Sequence, residues 1–298
     1  MAQEVSVLIG FSVQSSSDCA VAPDVIRQLE FAVESLLNKA RALVRASPDA
    51  FSKLTIAGIA TGALRRASNG HEIVSLLNAK YGINVRIITQ EEEGRLGYLT
   101  ACTVAGVRLR DMEATVWDSG GASFQLTRAS TGGTGAVTVL KGPIGTSHVT
   151  HALVERIQKK GSFEKTKDPN PCSCADIEEL REWILSELAP LRDKIGCGFV
   201  TEDVLCLGGS PGMFFVASVI TGTLNLEPGP LWTAIQQKLV GRTTAEIESV
   251  YGIPGGMMAV PNVCLAVAVM QLFGIQRVRQ VVTNGSCIGV ASDEDFWV

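Results

Sequence analysis

A glycine turn directly after a predicted strand can present backbone amides to an anion. Residues 118–123 read Asp-Ser-Gly-Gly-Ala-Ser and follow the strand predicted at residues 114–118. Gly120 and Gly121 can aim successive N–H groups at one point, which forms an anion-binding nest. Asp118 lies beside this nest and can hold a hydrated Mg²⁺. An ordinary glycine hairpin gives the same pattern, so this motif alone does not decide between the two readings.

A second glycine turn follows the strand predicted at residues 203–207. Residues 207–211 read Leu-Gly-Gly-Ser-Pro and lead into a predicted helix. The N-terminus of a helix favours anions because its first N–H groups are unpaired and its dipole is positive there. Taken alone, this turn is as ambiguous as the first.

Charged side chains follow two further predicted strands. Arg65 and Arg66 come just after the strand predicted at residues 54–60, at a position where loops of α/β sheets meet ligands. An arginine there can bind phosphate through two parallel hydrogen bonds, although a surface helix with two arginines explains the pair equally well. Residues 91–93 are all Glu and open a predicted helix. The helix dipole favours carboxylates there, but three exceed what capping needs, so one can orient water or take its proton.

Three other patterns are weaker. His148 and His151 can share a helix face, but no third zinc ligand lies nearby in the sequence. Cys172 and Cys174 lack the usual two-residue spacing and a partner pair, which favours incidental thiols. The sequence has no Gly-x-x-x-x-Gly-Lys-Ser/Thr loop, which disfavours a P-loop ATPase.

Segments of helical and strand periodicity alternate along the chain, which predicts an α/β fold. We place a domain boundary near residue 110, giving domains 1–110 and 111–298. The first domain has predicted strands at residues 4–10, 54–60 and 83–88 and predicted helices starting at Pro23 and over residues 70–80 and 91–104. The second has predicted strands at residues 114–118, 123–128, 136–141, 203–207 and 278–283 and predicted helices at residues 146–158, 175–194, 211–222, 230–240, 243–250 and 259–274, with a polar surface insertion at 159–173.

Composition narrows the classes of function. A net charge of −4 and a pI near 5.5 give no global electrostatic case for binding nucleic acid or an anionic membrane. The apolar stretch 260–275 is shorter than the ~20 residues of a spanning helix, so we expect a buried helix there. No signal peptide is visible, and eight scattered cysteines predict reduced thiols. We therefore expect a cytoplasmic protein.

The order and spacing of these motifs resemble those of the exopolyphosphatase/guanosine pentaphosphate phosphohydrolase (Ppx/GppA) family. The resemblance rests on residues 60–69, 88–96 and 116–123, and in the second domain on residues 142–146, 207–210 and 284–289. It covers nearly the whole chain. It implies an actin/hexokinase-like architecture of two ribonuclease-H-like domains, with the phosphates held in the cleft between them.

The resemblance also implies roles for single residues. The family's phosphate-binding arginine corresponds to Arg65, with Asn69 in the same motif. Its catalytic carboxylate corresponds to Glu93, and its magnesium-linked aspartate to Asp118. The family's phosphate-binding turns correspond to Gly120, Gly121, Ala122 and Ser123, and to Gly208, Gly209 and Ser210.

The sequence departs from the family pattern at three points. The family's opening Asp-x-Gly-Ser-Asn-Ser loop has no counterpart, because residues 7–13 resemble the family's third strand. The first domain is therefore expected to be shortened at its N-terminus. Ala122 replaces the third turn glycine, so its Cβ must fit beside a phosphate and disfavours a positive φ. Gln125 stands where the family has an acid, and a neutral amide supplies no charge to a metal.

The activity implied by the resemblance is hydrolysis of a phosphoanhydride. A Mg²⁺-dependent enzyme would release terminal phosphate from inorganic polyphosphate or from guanosine penta- or tetraphosphate, with a homodimer as one assembly the family allows. The departures keep an alternative open: a catalytically weak or inactive relative that binds nucleotide or polyphosphate as a regulatory protein. A sugar or acetate kinase of the same superfamily is a more distant alternative.

Overall fold

The computed structural model describes residues 19–46, 55–106, 114–129, 136–163, 167–194, 202, 204–283 and 285–297. The chain falls into two compact units, one up to Thr89 and the other from Gln90 onward. The strand predicted at residues 4–10 lies outside the described residues.

The first unit packs helices against a short parallel sheet. Its described elements are α1 (Pro23–Ala46), β1 (Ala57–Ala60), α2 (Gly62–Arg66), α3 (Gly70–Tyr81) and β2 (Asn84–Ile87). The predicted helix start at Pro23 is confirmed. The apolar side chains of α1 recur at helical spacing, so one face of the helix packs on the core of this unit. The strands β1 and β2 pair in parallel, as a β-α-β connection requires.

The second unit is built on a six-stranded sheet. Its strands are β3 (Thr115–Ser119), β4 (Phe124–Ala129), β5 (Val137–Gly142), β6 (Val204–Leu207), β7 (Asn225–Leu226) and β8 (Val278–Val281). Their spatial order is β5-β4-β3-β6-β8-β7. The first three form an antiparallel meander, and β3, β6 and β8 run parallel.

Helices cover this sheet and carry most of its core. They are α4 (Gln90–Ala105), α5 (Thr146–Ala152), α6 (Cys174–Leu188), α7 (Met213–Thr221), α8 (Pro228–Lys238), α9 (Thr244–Tyr251), α10 (Ala259–Phe273) and α11 (Cys287–Ser292). On the sheet, the fully buried Trp117 meets Phe214 of α7 edge to face, with ring centroids 4.9 Å apart. Burial of such aromatic pairs is a large part of the hydrophobic stabilisation of this unit.

The predicted buried helix at residues 260–275 is confirmed as α10. By length and composition alone, the stretch Gly256–Phe273 would pass for a membrane span, but 83% of it is buried inside the fold. Among the residues of α10 itself, only Gln271 is exposed. It therefore serves as the central core helix of the second unit.

The helix α4 packs with the second unit. A Cβ added at Gly94 would lie 2.7 Å from the Thr127 hydroxyl and 2.7 Å from Val139, so the absence of a side chain lets α4 lie directly on β4 and β5. The compact units therefore divide at Thr89. The domain boundary near residue 110 stays a prediction.

Most predicted elements are present, with shifted ends. The helix predicted at residues 146–158 changes into a π-helical turn at Leu153–Ile157, and the one at 175–194 ends in the 3₁₀ helix Ala189–Lys194.

The predicted insertion at residues 159–173 is anchored rather than loosely attached. Its Asn170 is buried and donates hydrogen bonds to the Thr244 hydroxyl and the Gly256 carbonyl.

Candidate functional site

Three parallel strands of the second unit end at one edge of its sheet. β6 lies between β3 and β8, so Asp118 at the end of β3, Gly208 after β6 and Thr283 after β8 come to the same edge. The connections are direct, because the Thr283 N–H donates to the Gly208 carbonyl at 3.4 Å and the Gly208 N–H donates to Val281 at 3.1 Å. Ligands of α/β sheets bind at such carboxyl ends of parallel strands.

Two acidic side chains lie near this edge. Glu93 lies in the first turn of α4 and is 8% exposed. Burial, and secondly the nearby Glu93, raise the pKa of Asp118 to about 7. Hydrogen bonds from the Ser119 N–H and the Ser286 hydroxyl lower the pKa of the same carboxyl and so oppose that shift. A carboxyl group in such surroundings favours a bound proton or a bound cation.

The helix α4 reaches Asp118 because of a glycine. A Cβ added at Gly97 would lie 3.6 Å from Oδ2 of Asp118 and 3.3 Å from the side chain of Leu207. The backbone of α4 therefore packs against both β3 and β6. This contact places Glu93, one helical turn earlier, beside the same carboxyl group.

The first glycine turn has a closed conformation. The Gly120 N–H donates to the Ser123 carbonyl at 2.9 Å, so this amide is already used within the turn. The N–H groups of Gly121 and Ala122 have no acceptor within the part of the chain that the structure describes. The expected anion nest is thus limited to these two amides. Ala122 does not adopt a positive φ, so its Cβ causes no backbone strain.

A neighbouring loop supports this turn. The Thr146 N–H donates to the Gly120 carbonyl at 3.2 Å, and the Ser147 N–H donates to the Gly121 carbonyl at 2.8 Å. A Cβ at Gly145 would lie 2.4 Å from the Gly120 oxygen, so only glycine permits this approach. The loop at residues 142–146, noted in the sequence, therefore fixes the position of the turn.

The second glycine turn is equally constrained. A Cβ at Gly208 would lie 2.7 Å from the Cβ of Phe214 and 2.9 Å from the side-chain nitrogen of Gln280. That nitrogen donates to the Gly208 carbonyl at 2.9 Å. Among the described residues, no acceptor pairs with the N–H of Gly209 or Ser210. These amides precede the N-terminus of α7 and can bind an anion.

Gln125, where the family pattern has an acid, is buried. Gln125 lies opposite Asp118 in the register of β3 and β4 and is 1% exposed. Its amide nitrogen donates to the Ser123 hydroxyl at 3.3 Å. Gln125 therefore supports the end of the turn through its amide and brings no charge to the site.

The candidate residues of the first unit lie around its own strand ends. The Arg65 guanidinium donates to the Ile88 carbonyl at 2.8 Å, just after β2. Burial, and secondly the charge of Arg65, lower the pKa of Arg66, so the two guanidinium groups lie close enough to repel each other.

The Asn69 side chain is hydrogen-bonded to the backbone within the first unit. Its side chain accepts from the Val21 N–H at 2.9 Å and donates to the Val21 carbonyl at 3.1 Å. This two-point pairing ties the chain before α1 to the start of α3. A phosphate-binding role for Asn69 would have to use the lone pair that remains on its oxygen.

Sequence reasoning missed three hydroxyl groups at the strand edge. The Ser286 hydroxyl lowers the pKa of Asp118, as described above. The hydroxyls of Ser119 and Thr283 are buried and have no hydrogen-bond partner within the described residues. The positions of Ser119 and Thr283 could have indicated these hydroxyls, since Ser119 ends one of the three adjacent parallel strands and Thr283 follows another.

The weaker candidates of the sequence take structural positions. The His151 ring is buried and stacks on Phe163 at 4.0 Å between centroids, and burial lowers the pKa of His151. Cys172 is buried beside the Pro169 carbonyl, whereas Cys174 is exposed at the start of α6. Across the described ranges, no three His, Cys, Asp or Glu side chains are grouped to hold a metal.

Comparison with known proteins now identifies the family. The sequence profile of the Ppx/GppA phosphatase family matches residues 48–210, which is more than half of the chain. The chain therefore belongs to this family, and the resemblance inferred from its motifs is confirmed. No curated protein matches the sequence.

Solved structures agree on the fold. A Ppx/GppA enzyme of Aquifex aeolicus is 18% identical, with a TM-score of 0.63 over 92% of this chain and 84% of that one. An exopolyphosphatase from Cytophaga hutchinsonii is 17% identical, with a TM-score of 0.65 over 92% and 82%. An exopolyphosphatase-like protein is 18% identical, with a TM-score of 0.67 over 96% and 88%. The predicted α/β, actin/hexokinase-like fold class is confirmed.

Proposed function

We propose that this protein is a phosphoanhydride hydrolase that releases terminal phosphate from inorganic polyphosphate or from guanosine penta- or tetraphosphate. The observation that carries the proposal is that Asp118 and the nearby Glu93 lie at the same strand edge as a turn with open amides. Membership of a phosphatase family supports hydrolysis, and the exopolyphosphatase from Cytophaga hutchinsonii supports a polyphosphate substrate.

The proposed reaction needs water and one proton acceptor. The N–H groups of Gly121 and Ala122 bind oxygens of the terminal phosphoryl group and stabilise the charge that develops on them. Glu93 orients the attacking water and accepts its proton. The oxygen of that water forms the new bond to phosphorus, and the bond to the bridging oxygen breaks. The products are phosphate and a substrate shortened by one phosphate. In the first unit, Arg65 is the proposed phosphate ligand.

The residues present fit a magnesium ion. Mg²⁺ is bound in proteins through one or two carboxylates, with water and substrate phosphates completing its shell. Asp118 supplies such a carboxylate, and the Ser119 hydroxyl, which has no hydrogen-bond partner among the described residues, adds an oxygen on the next residue. We propose Asp118 as the residue that holds the ion. Bound Mg²⁺ would neutralise negative charge on the phosphates.

A second candidate function is ligand binding with weak or no turnover. The observation that favours it is Gln125, a neutral side chain opposite Asp118 where the family pattern has an acid. A site with one charge fewer would hold a cation less tightly. Such a protein would bind polyphosphate or a guanine nucleotide as a regulatory signal.

The test compares two acids of the same helical turn. Glu93→Gln should reduce phosphate release from polyphosphate at least a hundredfold, because general-base catalysis contributes roughly 10²–10⁴-fold. The matched control is Glu91→Gln, since Glu91 is exposed and paired with Lys141. We expect this control to retain wild-type turnover.

Phosphate release is measured colorimetrically with Mg²⁺ present, and binding by calorimetry. Binding of polyphosphate without turnover in the wild type would select the second candidate function. Wild-type turnover by Glu93→Gln would remove Glu93 from the mechanism.

A further inference from the structure

The central core helix of the second unit buries one amide side chain. Asn262 lies in α10 and is 2% exposed, and the other buried residues of this helix are apolar. A buried amide costs free energy unless its polar atoms are hydrogen-bonded, whereas an apolar side chain at the same place carries no such cost. Packing alone therefore does not account for Asn262, and its hydrogen bond shows what the amide does.

That hydrogen bond comes from the first residue of α5. The Thr146 hydroxyl donates to the side-chain oxygen of Asn262 at 2.6 Å, and Thr146 is itself buried. The Thr146 carbonyl accepts a hydrogen bond from the Thr150 hydroxyl at 2.7 Å, one helical turn further along. The side chain of Thr146 is thus held by the core helix α10, and its carbonyl is held within α5.

The backbone at the start of α5 supports the first glycine turn. The Thr146 N–H donates to the Gly120 carbonyl at 3.2 Å, and the Ser147 N–H donates to the Gly121 carbonyl at 2.8 Å. A Cβ added at Gly121 would lie 3.0 Å from the Ser147 hydroxyl oxygen, so the two segments also pack against each other. A continuous series of hydrogen bonds therefore runs from α10 through Thr146 to the turn with the open amides.

We propose that Asn262 is a positioning residue: acting through Thr146, it fixes the first glycine turn in the place where its two open amides bind the terminal phosphoryl group. This inference rests on the proposed function of the site. Amide donors stabilise a transition state only when they are held in advance at the position of the developing charge. A helix that is buried along nearly its whole length is a rigid support for this purpose, because protein interiors are close-packed.

The experiment uses the full-length chain and removes the hydroxyl in Thr146→Val, with Thr146→Ser as the variant that keeps it. The matched control is Thr150→Val, because the Thr150 hydroxyl is also buried and its hydrogen bond to Thr146 stays within α5. Phosphate release from tripolyphosphate with Mg²⁺ present gives kcat and KM. Urea unfolding with and without tripolyphosphate measures stability and binding in the same variants.

We expect Thr146→Val to lower kcat/KM about tenfold and to weaken tripolyphosphate binding. A misplacement of ~1 Å can cost about a hundredfold in rate, and the backbone hydrogen bonds between α5 and the turn limit the displacement in this variant. Thr146→Ser and Thr150→Val should keep the wild-type kcat/KM. A purely structural hydrogen bond would instead lower the ligand-free urea midpoint of Thr146→Val and leave kcat/KM and binding unchanged.

A double-mutant cycle shows whether Thr146 acts through Asn262. Asn262→Leu leaves the Thr146 hydroxyl without its acceptor and should lower kcat/KM to a similar extent. The variant that combines Asn262→Leu with Thr146→Val should lose no more than Thr146→Val does, because both changes break the same hydrogen bond. Losses that multiply would mean that the two residues act independently, which refutes the proposal. Should Asn262→Leu fail to fold, the comparison of Thr146→Val with Thr146→Ser still decides.

Two outcomes overturn the inference in different ways. If the wild type hydrolyses or binds tripolyphosphate and Thr146→Val does so equally well, the positioning role is refuted and the proposal for the site stands. If the wild type shows neither stabilisation by tripolyphosphate nor phosphate release, the proposed function fails and this inference fails with it.

Discussion

Replacing Asp118 by Asn should change how the stability of the second unit depends on pH. Burial, and secondly Glu93, raise the pKa of this carboxyl from the ordinary 3.8 to about 7. The folded protein therefore binds the proton of Asp118 more tightly than the unfolded chain does. This contribution to stability is complete below pH 3.8 and is lost as the pH rises through about 7. An asparagine at this position does not titrate, so the variant lacks this pH dependence.

The size of the effect follows from the two pKa values. The difference between 3.8 and about 7 would correspond to roughly 4 kcal/mol for a carboxyl with no water contact. Asp118 is partly exposed, so solvent screening reduces this figure. We expect Asp118→Asn to gain about 2 kcal/mol relative to the wild type between pH 5 and pH 8.

Tryptophan fluorescence isolates the relevant transition. All four tryptophans of the chain lie in the second unit, so their emission follows the unfolding of that unit. Urea unfolding at several pH values between 5 and 8, with a chelator present, gives the free energy of unfolding for each protein. Groups that do not interact with Asp118 titrate alike in both proteins and cancel in the difference.

The result can refute the reasoning in a specific way. A difference that is constant from pH 5 to pH 8 would mean that the pKa of Asp118 is not raised in the folded protein. Glu93→Gln should weaken the pH dependence, because Glu93 is the second cause of the raised pKa of Asp118. Glu91→Gln should leave it unchanged, since Glu91 is exposed and not among those causes.

Two further predictions concern packing and are read from the same urea unfolding. Gly289→Ala should lower the free energy of unfolding by about 3 kcal/mol, because its Cβ would lie 2.0 Å from the Leu96 oxygen and force α11 away from α4. Wild-type stability would show that the two helices do not touch at this point. Thr115→Val should raise the free energy of unfolding by about 1 kcal/mol, because the Thr115 hydroxyl is buried without a hydrogen-bond partner among the described residues. A loss of stability would mean that this hydroxyl has a partner in solution.

The sequence predicted those elements that have a clear period. The amphipathic α1 and the apolar α10 were predicted with nearly correct bounds, because their apolar residues recur as their burial requires. The short helix α11 (Cys287–Ser292) was missed, and α2 (Gly62–Arg66) was only one of two readings of the arginine pair. Helices of five or six residues show no periodicity, and tertiary contacts stabilise them.

The candidate site was predictable only in part. Asp118 and Glu93 stand in recognisable motifs, and the structure brings them together. The Gly120 N–H is hydrogen-bonded within its own turn, and the Asn69 side chain is hydrogen-bonded to Val21, which is distant in the sequence. A sequence motif does not specify such hydrogen bonds. Ser286 was missed because its effect on the pKa of Asp118 arises only after β3, β6 and β8 have assembled.

The raised pKa of Asp118 is itself an argument for a ligand at this edge of the sheet. Burial, and secondly the nearby charge of Glu93, disfavour the ionised form of Asp118, so an ionised Asp118 weakens the free protein at neutral pH. The second unit would be more stable with an amide side chain at position 118. A divalent cation bound at Asp118 would offset this cost and lower the pKa of Asp118. The environment that weakens the free protein therefore also favours the bound cation.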